Sequence, residues 1–158
     1  MAARSDMLSF VELLIGKRLN EFMCEADILE FIFDDRLVLH AMGFSRVICN
    51  SDILVTTTDY HSWDEADCTH NDEWVNAARF RDRIVGGTVL SASINGTNDL
   101  RIVLDNDCII ECYIANSYPH YDEQREQWML FEHTSDFSGR FLTAYNKELE
   151  LTRGDTEL

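Results

Sequence analysis

Apolar and polar positions along this chain follow two rhythms, and each rhythm occurs twice. Leu8, Val11 and Leu14/Ile15 recur at spacings of three and four, which predicts a helix over residues 6–15 with Ser5 and Asp6 as caps and Gly16 as its stop. Three short runs with period-two features follow, at 18–24, 28–34 and 36–42. Leu29, Phe31 and Phe33 share one face of the second, and Leu37 and Leu39 one face of the third. Glu25-Ala26-Asp27 and Asp34-Asp35 are the predicted turns, and the β-branched stretch 44–57 is expected to extend the same sheet. The order then repeats. Trp74, Ala77/Ala78, Phe80 or Arg81, and Ile84/Val85 have helical spacing, ended by Gly86-Gly87. Strands are predicted at 88–95, 99–105 and 108–115, with turns at Asn95–Asn98 and Asp105–Asp107. Further strands are predicted at 127–133 and 140–151, ahead of a polar tail expected to fray.

The two passages overlay. Residues 14–39 and 84–110 align Gly16 with Gly86, Leu19 with Val89, Leu29 with Leu100, Phe31 with Ile102, Phe33 with Leu104, and Asp34-Asp35 with Asp105-Asn106. The offset is 70 before the first turn and 71 after it. A fixed offset with matched apolar spacing predicts a repeated supersecondary unit. The expected fold class is α+β and strand-rich. Two pseudo-repeated helix-plus-antiparallel-meander units, at about 6–57 and 74–115, pack together with C-terminal strands at 127–151 as a single domain over 1–158. An isolated three-stranded sheet with one short helix has little core; two units packed together bury both apolar faces.

Charge changes the picture more than composition does. The chain carries 29 acidic against 13 basic residues, a net charge of −16. Such a surface repels nucleic acid and anionic membranes and favours a basic partner. Asp6 and Glu12 interrupt the first apolar run, so it is not read as a signal peptide, and no apolar run is long enough for a membrane-spanning helix. Cys24, Cys108 and Cys112 fall in apolar strand-like runs, which suits reduced, buried thiols and gives a cytoplasmic expectation.

Two segments depart from the repeat. Residues 58–73 hold Asp59, Asp64, Glu65, Asp67, Asp72 and Glu73 and no basic residue, with Tyr60, Trp63 and Trp74 as aromatic anchors. Residues 118–128 place Tyr118 and Tyr121 beside Asp122, Glu123 and Glu126. Aromatic residues concentrate binding energy while the surrounding charge steers encounter, so both segments are candidate contact surfaces for a protein partner. A solvated loop with aromatics tucked onto the core is the plain alternative. His61, Asp64, Asp67, Cys68, His70 and Asp72 offer mixed metal ligands, but their spacing matches no strong metal pattern. The cysteines lack a positive field to activate a thiolate, and the paired carboxylates lie at turns, where Asp serves the backbone. No phosphate-loop, dinucleotide or nucleophile-elbow motif is present. Neither a catalytic residue nor a cofactor or metal is expected.

The doubled turn LIGKRL and IVGGTV, the Asp34-Asp35 and Asp105-Asn106 hairpins, and the strand QWMLF at 127–131 resemble small acidic bacterial immunity proteins of polymorphic toxin and contact-dependent growth inhibition systems. The resemblance covers about two thirds of the chain. It implies a non-enzymatic protein that binds and blocks a cognate, cationic, nuclease-type toxin, and it transfers no binding residues. The alternatives from the sequence are a small-ligand-binding protein or enzyme with a pocket between the repeats, and an acidic nucleic-acid mimic.

Overall fold

The computed structural model describes residues 1–62, 66, 71–115 and 124–154. The chain runs α1 (Arg4–Glu12), β1 (Leu19–Glu25), β2 (Ile28–Phe33), β3 (Leu37–Ala41), β4 (Ser45–Cys49), β5 (Asp52–Thr56), a 3-10 segment (Thr57–Ser62), α2 (Asp72–Ile84), β6 (Val89–Ile94), β7 (Leu100–Leu104), β8 (Cys108–Cys112), β9 (Glu126–Glu132), β10 (Arg140–Tyr145) and β11 (Leu149–Arg153). All strand pairs are antiparallel, so the fold is α+β and strand-rich as expected.

The strands form two sheets with an exchanged order. One is β1-β2-β3-β9-β10-β11 and the other β5-β4-β8-β7-β6. The expectation that residues 44–57 extend the first meander is therefore corrected: β4 pairs with β8, joining the second meander, while β3 takes β9 as its neighbour. Met42 and Gly43 both donate to the Gln127 carbonyl, which turns the chain out of the first sheet at this point. The helices cross over too. α1 packs on β6 and touches β11, and α2 packs on β1 and β5.

At the crossing the two stretches meet reciprocally. Gly16 donates to the Val89 carbonyl (2.9 Å) and Gly86 to that of Leu19 (2.7 Å); Leu19 donates to Gly87 (2.9 Å) and Val89 to Lys17 (2.8 Å). Gly16 and Gly86 both have positive φ, 83° and 97°, a conformation that favours glycine and explains why each stretch carries one there. β1 and β6 each carry an irregularity one residue in, between Leu19 and Glu21 and between Val89 and Ser91. The turn aspartates act alike: Asp34 accepts the Arg18 N–H and Asp105 the Thr88 N–H.

Inward-facing residues of both sheets and both helices form one buried cluster, including Phe10, Phe22, Phe31, Leu39, Ile102, Ile110 and Trp128. Trp128 Nε1 donates to the Asn98 carbonyl at 2.9 Å, so its one polar atom is satisfied inside the core.

Several local expectations shift. The N-cap of α1 is Ala3 rather than Ser5 or Asp6, and Asp6 accepts the Ala3 N–H. The helix ends at Glu12, and turns carry the chain on to Gly16. The single strand expected over 140–151 is a hairpin, its turn closed by the Tyr145 N–H on the Glu148 carbonyl. Thr152 and Arg153 of the tail belong to β11, and Gly154 donates to Gly139, while 155–158 lie outside the described residues. Cys108 is not a reduced core thiol: it is disulfide-bonded to Cys49, the residue directly opposite it on β4. Cys24 and Cys112 are free.

Candidate interaction surface

Described residues that flank or border the two acidic segments meet at one corner of the fold. Thr57, where the first begins, donates through Oγ1 to the Gly43 carbonyl at 2.8 Å. Gly43 donates to the Gln127 carbonyl, and Ala115, just before the second segment, donates to Gln127 Oε1 at 3.1 Å. Gln127 is buried and joins the two flanks. A Cβ on Gly43 would sit 2.5 Å from Gln127 Oε1, so a larger residue there would displace the amide that Ala115 bonds. Gly43, which no sequence pattern singled out, and Gln127, expected only as the start of a strand, thus tie Thr57 and Ala115 together.

Of the expected contact residues, Trp63, Asp64, Glu65, Asp67, Tyr118, Tyr121, Asp122 and Glu123 lie outside the described residues. Asp72 and Glu126 are exposed, and Tyr60 and Asp59 half-buried. Asp59 is a structural acceptor: its carboxylate takes the Thr56 N–H at 2.9 Å and the Asn76 amide at 3.4 Å. Glu73 is a correction. It sits in the first turn of α2 with its side chain turned into the fold and no exposed surface, so it offers nothing to a partner. Neither of its oxygens has a hydrogen-bond partner of ordinary geometry, and the Cys24 thiol lies beside it. Burial, with the nearby Asp27 charge and that of Asp59, pushes its carboxyl up to about 8. Burial and Glu73 in turn push the Cys24 thiol up to about 12, which makes it a poor nucleophile. Trp74, one position on, is 38% exposed and caps an apolar hollow with Phe22, Met23 and Ala77.

A second patch was only partly visible in the sequence. Tyr145 pairs across the strands with Glu126, and Thr143 with Glu150. Burial and the charges of Glu150, Glu126 and Glu148 raise the Tyr145 phenol above its ordinary value, so this half-exposed aromatic ring sits in an acidic neighbourhood. Glu126 was expected here. Tyr145, Glu148 and Glu150 were not: in a single strand over 140–151 the alternation Phe141, Thr143, Tyr145 puts positions 148 and 150 on the opposite face, and only the β10–β11 hairpin brings them to the side of Tyr145.

Among the described residues no group of His, Cys, Asp and Glu has the arrangement of a metal site, and no helix is long and apolar enough to cross a membrane. The His61–Asp72 ligand set falls largely outside the described residues. The chain matches no protein-family model, no curated protein and no solved structure.

Proposed function

We propose that this chain is a non-enzymatic immunity protein that binds and neutralises a basic, nuclease-type bacterial toxin by protein–protein contact. The carrying observation is that described residues flanking both acidic, aromatic segments meet at the Gly43–Gln127–Thr57 corner. Glu126, at the end of the second segment, is the cross-strand partner of Tyr145 and adds to the acidic neighbourhood there. The net charge of −16 supplies long-range attraction for a cationic domain. Exposed aromatics such as Trp74 supply the short-range contact that slows release.

The test is co-expression with the product of the neighbouring reading frame. The expected result is rescue of growth and a stoichiometric complex whose association rate falls steeply as salt rises. A neighbouring product that is harmless alone and does not associate sinks the reading. The Cys49–Cys108 disulfide counts against cytoplasmic residence, which stands only if both thiols are reduced in the native host. A disulfide recovered after acid quench and alkylation places folding in an oxidising compartment instead.

A further inference from the structure

Two sheets have four edges, and these edges are not covered alike. α2 packs on β1 and β5, and α1 packs on β6. Among the described residues β11 has β10 as its one strand neighbour, and α1 only touches it. Its five residues pair with β10 without a bulge, and none is proline. An open strand edge presents a row of unpaired backbone groups, and a bulge, proline or covering element is what ordinarily blunts it.

Along this edge runs a groove of about 700 Å³, lined by Ala2 and Met7 of the α1 end and by Glu148–Thr152. Leu149 and Leu151 are half-buried and pack against the core, whereas Glu148 and Glu150 are exposed. The groove thus has an apolar side and an acidic side, continuous with the acidic neighbourhood of Tyr145.

We infer that the free edge of β11 takes an extended segment of the partner as a seventh strand, with alternating basic and apolar side chains. This rests on the capture of a basic protein proposed above and names how it is held. The backbone supplies the affinity, as in other cases of strand addition. Period-two alternation puts the apolar side chains toward Met7, Leu149 and Leu151 and the lysines or arginines toward Glu148 and Glu150. A second copy of this chain fits less well, because each copy brings a net charge of −16 to the contact.

The probe is the peptide acetyl-Lys-Val-Lys-Val-Lys-amide, with one version N-methylated at the valine amides and another at the lysine amides. In an added strand the amides of one parity face the sheet and those of the other face solvent. One methylated peptide should bind at least ~10-fold more weakly and the other within about 2-fold of the parent. Alternate β11 amides should gain exchange protection, and E148K/E150K should weaken the parent peptide. If both methylated peptides bind like the parent, strand addition is overturned while attraction of basic partners stands. If no peptide binds even at low salt, both readings fall. Self-association with β11 protected before peptide is added overturns the inference in favour of a second copy.

Discussion

The runs β1-β2-β3 and β6-β7-β8 are bonded in the same antiparallel order, one in each sheet, and the sheets differ in what they place across their strands. On the outer face of the six-stranded sheet, Ile32, Val38, Phe131 and Phe141 form one cross-strand row, and Glu30, His40, Met129 and Thr143 the next. The five-stranded sheet has Val103, Ile109, Ile48 and Ile53 in the first row, and Arg101, Glu111, Arg46 and Thr56 in the second. Where Cys108 faces Cys49 in one sheet, Leu37 faces Glu132 in the other, and Glu132 is ion-paired with Arg140 at 2.5 Å. Positive-φ glycines, strand irregularities and turn aspartates recur because they set the path of the chain. Cross-strand partners vary because either chemistry closes the same geometry.

The largest difference to test is the crosslink. Replacing Cys49 and Cys108 by alanine removes a bridge between residues 59 apart. It should cost about 4 kcal/mol on the chain-entropy account, read from denaturant unfolding with and without reductant. Glu132→Gln, its counterpart, breaks a part-exposed ion pair and should cost under about 1 kcal/mol. An unfolding midpoint indifferent to reductant would remove the contrast.

The helix starts come next. α1 has the exposed Asp6 in its first turn where α2 has the buried Glu73. The folded Glu73 carboxyl is raised from 4.5 to about 8, so between these values the folded state holds a proton that the unfolded state has lost. Its contribution is intact below pH 4.5, lost as pH rises toward 8, and level above that. Glu73→Gln should flatten the stability profile by about 2 kcal/mol between about pH 5.5 and 7.0. An unchanged slope would mean that the buried acid does not titrate there.

Gly16→Ala and Gly86→Ala should each cost about 1–2 kcal/mol, and nearly equally. An added Cβ meets nothing at Gly16 and makes only ordinary contact at Gly86, so the penalty is conformational at both. Unequal losses would show that the crossing is held more tightly on one side. The smallest effect belongs to Glu111, the carboxylate between Arg101 and Arg46 in its row. It accepts the Tyr113 hydroxyl and holds that phenol above its ordinary value. In Glu111→Gln the Tyr113 titration followed by ultraviolet absorbance should move down, with stability changed by under about 1 kcal/mol.

Much of this plan was legible before the structure. The period-two runs at 28–34 and 99–105 and the aspartate turns recur as β2, β7 and their caps, because local pattern and turn chemistry decide them. The exchange of β4 and β9 between sheets was not legible, since alternation says which face is apolar and nothing about which apolar edge it meets. Glu73 was misplaced for a related reason. It sits in an acidic run, and only the helix phase set by Asn71 turns it inward. Cys49 and Cys108 lie far apart in sequence, and their meeting depends on the same exchange. Asp72, Tyr60 and Glu126 were placed at or near the surface by composition alone, whereas Tyr145 needed its cross-strand neighbours.

The exchanged strands also set an order in time. β3 is complete by Ala41, yet its partner β9 begins at Glu126, so one side of β3 has no strand to bond until about 85 residues more have been made. The five-stranded sheet can assemble from β4 to β8 alone. During synthesis it is therefore the first to close, and the six-stranded sheet, with its open β11 edge, is the last surface the chain acquires.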